Sequence, residues 1–494
     1  MFSAVLSGVD AIPIEVQVQV TSGLPSFQIV GMPDTAVVES RERVRAAFKS
    51  TGLSVPAERV TVNLAPAHVR KVGSGLDLPI AIGLMIAAGY LRGDVVSDFL
   101  TVGELSLSGK VQAPAGGISF ALLAQKHNVG LLSGPLGEIM QLIDIPVAAI
   151  ECLSRLITVA KQGEVQLVQR FGTKLSWIAD EELDFSDVVD QEAAIRALTI
   201  SAVGSHNILM MGEPGSGKTM LARRLPYIMP LLSSSELLEV AQVHSVVDPY
   251  WEPRSCRPFR APHHSATSVG LIGGGSPVSP GEVTLAHKGI LFLDEIFEFK
   301  PASLQMLRQP LESGEVRIVR AMESVRMPAH FQLVATANPC PCGYYGSLQR
   351  ACTCTAQRIA QYHNRLGGPL MDRIDMYVTV PRPAAREMVS CAGKKNTGHI
   401  RDEVGRAITF RAERKGCHEE SRKAESLRDY LVHNGFTDDS VHMLSSAAES
   451  LLLSGRSMTK VSTIARTIAD LDARHQVDVS HLAEALSYRR VQEI

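Results

Sequence analysis

The stretch NILMMGEPGSGKTMLARRL, Asn207 to Leu225, decides the fold. Four apolar residues, Ile208 to Met211, have the length of a buried strand. They run into Gly212-Glu213-Pro214-Gly215-Ser216-Gly217-Lys218-Thr219, and a helical pattern of apolar and basic residues follows. Strand, glycine-rich turn with a terminal Lys-Thr, then helix is the context in which GxxxxGK[ST] cradles phosphates. The glycines let backbone N–H groups curl around phosphate oxygens, and the N-terminus of the following helix favours the same negative charge. Lys218 is expected to reach the β- and γ-phosphates, and Thr219 to ligate Mg²⁺. A chance glycine turn would not carry both flanking elements.

Two further strands complete the pattern downstream. GILFLDEI (Gly289–Ile296) delivers Asp294 and Glu295 at the end of an apolar run, and open α/β sheets bind ligands at the carboxyl ends of their strands. Asp294 suits the magnesium side of the site, and Glu295 suits activation of the water that attacks the γ-phosphate. FQLVATANP (Phe331–Pro339) is another apolar run, ending in Asn338, whose amide can hold that phosphate or that water. The alternative for Asn338 is a turn cap ahead of Pro339.

At 494 residues the chain exceeds one hydrophobic core. Residues 1–168 read as a mixed α/β domain. Ile12–Val20 and Arg59–Pro66 alternate as half-buried strands, Asp34–Ser50 has helical spacing, and Leu100–Gly117 reads as strand, turn, strand. A polar linker is placed at 169–184, the α/β nucleotide-binding core at 185–380, and a helix-dominated lid at 381–494. Within the lid, Gly393–Arg401 and Lys415–Lys423 read as mobile loops. Hydrophobic residues at 45% and charged residues at 20% are ordinary for a globular protein. The net charge of −2 offers no global basic field, although a local patch lining a pore is compatible with it. Aromatics at 5% argue against an extensive base-stacking platform. The apolar run Leu76–Leu91 is broken by Asp77 and Pro79, which fits a buried helix rather than a membrane span. With no signal-like N-terminus and the cysteines clustered, a cytoplasmic location is expected.

The order of phosphate loop, Asp-Glu strand and Asn strand resembles that of AAA+ ATPases, an α/β P-loop core carrying a helical lid. That resemblance implies ATP and Mg²⁺ as ligands. It places an arginine finger at Arg373 in RLGGPLMDRIDMYVTVP (Arg365–Pro381), reaching the site of a neighbouring subunit. It places a second-sensor helix at Ser454–Leu471, with Arg456 as the sensor and Arg466 as the competitor. RPFRAPHHSATSVGLIGGG (Arg257–Gly275), LRQPLESGEVRIVR (Leu307–Arg320) and ATANPCPCGYYG (Ala335–Gly346) look like the magnesium-chelatase branch. With the N-terminal region the similarity covers nearly the whole chain, and it is to the ComM/YifB family. This implies a homo-hexameric ring acting as a helicase on branched or single-stranded DNA during integration of transforming DNA. The alternatives are a chelatase-type motor that remodels a protein partner, and an ATP-dependent protease.

The protease alternative arises because VGELSLSGKVQAPAGGISFALLAQKHNVG (Val102–Gly130) resembles the Lon protease domain, a ribosomal S5 domain 2-like fold. A Lon-type site needs a serine activated by a lysine. Here Ser119 occupies the lysine position, and Gly75, beside Ser74, occupies that of the nucleophile. Lys71 and Lys110 are the nearby lysines that could substitute. A non-proteolytic Lon-like domain is therefore expected.

Cys340, Cys342, Cys352 and Cys354 form CxC, nine residues, CxC. Four soft thiolates suit tetrahedral zinc; reduced thiols on a loop are the alternative. His263 and His264, beside Arg257 and Arg260, lack partners at ligand spacing and read as a polymer-contacting or hinge loop. Gly273-Gly274-Gly275 reads as a mobile insert. Lys288, Lys300 and Arg308 are candidate polymer contacts, with a solvated face as the plainer reading.

Overall fold

The computed structural model describes residues 1–162, 168–169, 183–254, 256–320, 323–347, 350–383, 395–416 and 426–489. Most of the expected linker at 169–184, and the part of the expected loop Lys415–Lys423 beyond 416, lie outside them.

The N-terminal region forms two four-stranded sheets. One has the order Phe2–Ser7, Asp10–Thr21, Arg59–Ala65, Ser26–Val30; the other runs Val168–Gln169, Val147–Ala149, Gly130–Ser133, Phe99–Thr101. The helix Thr35–Ser50 starts where Asp34 accepts the Val37 N–H at 2.8 Å. The helix Asp77–Ala87 is buried along nearly its whole length, as a broken apolar run too short to span a bilayer should be. Its one charge, Asp77, is buried and held by Arg43 through two hydrogen bonds of 2.6 and 3.0 Å.

The core sheet is parallel and five-stranded, in the order Phe259–Arg260, Ile290–Leu293, Gln332–Ala337, Ile208–Met211, Met376–Thr379. The strand leading to Asn338 thus lies between the phosphate-loop strand and the strand bearing Asp294 and Glu295. All three strands end on one edge, and that edge is the site. The N-terminal region docks on the helix Ser234–Ser245: the Gln242 amide donates to the Val9 carbonyl at 3.1 Å and to Asp10 at 3.0 Å, and the Gly116 N–H donates to Ser245 at 2.7 Å.

The lid contributes helices Thr397–Gly416, Leu427–His433, Asp438–Ser450, Gly455–Leu471 and Val479–Ser487. Ile464, Ala465, Ile468 and Leu482 share one buried cluster with Leu198, Ile208 and Leu221 of the core. Arg196 reinforces the seam by gripping Glu484 at 3.0 and 3.2 Å. The expected loop Gly393–Arg401 is corrected: a helix begins at Thr397. Asn396 accepts the His399 N–H at 2.8 Å, Asp184 accepts the Thr397 N–H at 2.7 Å, and Ile400 is buried. No described helix is long and apolar enough to cross a membrane.

Candidate nucleotide site

The phosphate loop bends between its strand and the helix Lys218–Ile228 through two left-handed glycines, Gly215 at φ +78° and Gly217 at φ +89°. Gly212 has a different reason to lack a side chain, since a Cβ there would lie 2.2 Å from the Val380 carbonyl. Lys218 is buried and folded back into the loop, donating to the carbonyls of Gly212 at 2.7 Å and Glu213 at 2.9 Å. Burial lowers its pKa; Asp294, Glu295 and Glu213 oppose that shift. Its amine also reaches Asn338 Oδ1 at 3.4 Å.

Thr219 Oγ1 stands 3.1 and 3.3 Å from the two carboxylate oxygens of Asp294. A hydroxyl and a carboxylate facing one point are hard oxygen donors of the kind Mg²⁺ takes beside nucleotide phosphates. The structure adds Thr336, which the sequence reading missed. Its hydroxyl donates to Asp294 Oδ1 and accepts the Glu295 N–H at 3.0 Å, so one side chain aims both acids. Glu295 adopts a left-handed backbone, φ +51°, and its carboxylate accepts from the Asn338 amide at 3.5 Å. Gln191 was also missed; its amide lies 3.5 Å from the Ser216 carbonyl and 2.6 Å from that of Pro381.

Arg373 and Arg456 are brought together, but not at this edge. The Arg373 carbonyl accepts from Asn207, and the Asp375 carboxylate from the Asn207 N–H; Asn207 precedes the phosphate-loop strand. The whole strand, about 13 Å for four residues, separates that end from the loop. Arg373 pairs with Glu312, and Arg456 lies 3.8 Å from the same carboxylate. Burial lowers the Arg373 pKa, and the charges of Arg456 and Arg308 push it the same way. Two guanidinium groups thus share one acid, and a third, Arg308, adds its positive charge at Arg373. Asp375, two residues further on, is bound instead by Lys460 at 2.7 Å. Nor does the chain's own lid bring Arg456 to its own phosphate loop. Arg466 is buried and donates to the carbonyls of Asn434, His475 and Arg474, which makes it a structural residue of the lid.

The four cysteines converge, with all four Sγ atoms within 4.8 Å of one another. Three of the separations are 3.3, 3.5 and 3.6 Å. Tetrahedral zinc with thiolate bonds near 2.3 Å places its sulfurs about 3.8 Å apart, so the donor set fits that ion.

Other candidates are differently employed. Arg257 donates to the carbonyls of Pro230 and Lys288, and Arg260 makes a two-pronged pair with Glu282. Neither is free for a polymer. His263 and His264 lie against each other, ring centroids 4.0 Å apart, on an exposed loop. Gly273–Gly274 pairs with Ser279–Pro280 as a short antiparallel ladder where a mobile insert was expected. In the N-terminal region Ser74 donates to Glu104 at 2.7 Å, Ser119 to the Val9 carbonyl at 2.6 Å, and buried Lys71 to the Pro66 carbonyl. None of these three contacts joins a serine to a lysine.

This edge, with its phosphate loop, paired acids and interposed asparagine strand, defines an AAA+ ATPase of the magnesium-chelatase type. Family profiles agree: "Magnesium chelatase, subunit ChlI" matches residues 184–388, its C-terminal counterpart 394–489, and "Subunit ChlI of Mg-chelatase" 16–133. Among curated relatives, competence protein ComM of Haemophilus influenzae is 38% identical over 506 residues, covering 99% of this chain and 97% of its own length. The uncharacterized protein YifB of Salmonella typhimurium is 36% identical over 493 residues, covering 99% and 96%. The magnesium-chelatase 38 kDa subunit of Cereibacter sphaeroides is 26% identical over 174 residues, covering 31% of this chain and 52% of its own. The chain belongs to the ComM/YifB family of Mg-chelatase-like proteins.

Proposed function

We propose that this chain is an ATP-hydrolysing ring motor, a homo-hexamer acting in the cytoplasm on branched or single-stranded DNA. Gly212–Thr219 hold the phosphates, Thr219 and Asp294 take Mg²⁺, and Glu295 with Asn338 positions and deprotonates the attacking water. Held there, Mg²⁺ would supply charge neutralisation for the phosphates. Arg373 and Arg456 serve the site of the adjacent subunit. The observation that carries the ring is their shared place at the strand starts, a strand's length from the chain's own phosphate loop. The N-terminal region acts in assembly or substrate contact rather than proteolysis, and the four cysteines hold a structural zinc ion.

A polyanion is favoured by the hairpin Glu315–Arg320 with Glu323–Pro328. Its register sets Arg317 directly opposite Arg326, both exposed. Like charges facing each other across strands are destabilising, and a phosphate between them removes the repulsion. ATP hydrolysis should therefore rise on adding forked DNA. The Arg317→Ala/Arg326→Ala double variant should keep basal turnover, lose the stimulation, and lower the salt slope of DNA binding by about 2, one per phosphate contact. Stimulation that survives the double variant would remove the hairpin from the DNA path. The chelatase-type reading predicts no response to DNA in either protein, and the short overlap with the 38 kDa subunit gives it less support than the full-length relatives give a ComM-like role.

A further inference from the structure

The segment 338–355 contains no helix or strand among its described residues, although it lies against the nucleotide site. Loops of that length inside compact domains are uncommon unless they work or are tied down. The four cysteines tie this one, and it touches the site on three sides. Cys340, fully buried, follows Asn338 by two residues. The Pro339 carbonyl between them accepts from His363 Nε2 at 3.0 Å, and the His363 ring meets that of Phe297 edge-on at 5.2 Å, two residues beyond Glu295. Gly343, directly after Cys342, has φ +84° and lies on the phosphate loop; a Cβ there would stand 2.7 Å from Cγ and Cδ of Pro214. One tied loop therefore bears on the asparagine, the acid-bearing segment and the phosphate loop.

We infer that the four-cysteine centre controls ATP turnover through this loop: metal occupancy holds Gly343 against Pro214 and Asn338 against Lys218 and Glu295, and loss of the metal releases both. The inference rests on the zinc reading above. Its physical basis is that cysteine sulfurs alone make only weak contacts with one another, whereas a divalent cation bonds all four and fixes the loop. Displacement of a positioning group by about 1 Å can lower turnover about 10²-fold.

The test uses the full-length protein. Metal content is measured by dye-coupled release, turnover by steady-state ATP hydrolysis, nucleotide affinity by a fluorescent ADP analogue, and folding by far-ultraviolet circular dichroism. About one zinc ion per chain is expected. Chelator-stripped protein should keep its dichroism, lose about 10²-fold in turnover, and recover when zinc is restored. Gly343→Val changes no ligand but strains the loop beside Cys342, so its zinc content is read first; with zinc retained it should lose turnover and weaken analogue binding. Absence of metal from the native protein overturns the zinc reading while leaving the ATPase intact. Zinc present, with turnover unchanged after stripping, overturns the control. Should stripped protein unfold, Gly343→Val decides: zinc retained with parental turnover and affinity overturns the coupling, and zinc retained with both reduced supports it.

Discussion

Arg373→Ala should lower kcat for ATP hydrolysis about 10³-fold, near 4 kcal/mol of transition-state stabilisation, while nucleotide affinity of the isolated subunit changes little. The size follows from what a finger arginine does. It meets charge developing on the transferred phosphoryl group and has no role in holding ATP in a single subunit. The location fits that division, because the Arg373 backbone is bound at Asn207 on the edge opposite Lys218. Arg373 is also buried, and it pairs with Glu312, which it shares with Arg456. Removing it leaves Glu312 with Arg456, so a second effect is expected. Arg456→Ala should cost less than Arg373→Ala, since Arg456 is the more exposed of the two and stands farther from the shared acid. Equal activity of Arg373→Ala and the parent protein, in assembled rings, would place the finger elsewhere.

Glu295→Gln should abolish turnover by a factor of about 10² to 10⁴, the range for loss of a general base, and should trap bound ATP. The amide keeps the shape of the side chain and a hydrogen bond to Asn338, so binding persists while water activation is lost. The neighbouring acid behaves differently. Asp294 is held by the hydroxyls of Thr219 and Thr336, and Asp294→Asn is expected to weaken the Mg²⁺ dependence of binding itself. Equilibrium binding of a fluorescent ATP analogue, measured against Mg²⁺ concentration for both variants, separates the two roles. If Glu295→Gln lost binding and Asp294→Asn kept it, the assignments would have to be exchanged.

Much of the site was legible because its chemistry is local. Lys218 and Thr219 sit at fixed offsets within one strand–loop–helix unit, and Asp294, Glu295 and Asn338 each end an apolar run, so short-range pattern alone points to them. What the pattern could not show depends on contacts between distant segments. Thr336 looks like one more strand residue until the sheet order sets it beside Asp294 and Glu295. Glu312 lies in a short helix, Arg308–Ser313, with nothing in its neighbourhood to announce two arginine partners. The helix starting at Thr397 was hidden because one of its anchors, Asp184, is more than two hundred residues away in sequence. Arg456 and Arg466 look alike by spacing, and only the folded chain shows that Arg466 is occupied by hydrogen bonds to three carbonyls. The meeting of Arg373 and Arg456 at Glu312 is the largest gain of this kind. Nothing in the spacing of either arginine points to Glu312, which packing of distant segments brings to both.

A pocket shared between neighbours can be tested by complementation. Arg373→Ala subunits retain Glu295, and Glu295→Gln subunits retain Arg373, so co-assembly of the two creates, at about one interface in four for random mixing in a closed ring, a site with both groups. Each variant alone should be nearly inactive, and ATP hydrolysis should return in the co-assembled mixture in proportion to those mixed interfaces. A mixture no more active than the average of its two components, with ring formation verified, would show that each subunit completes its own site.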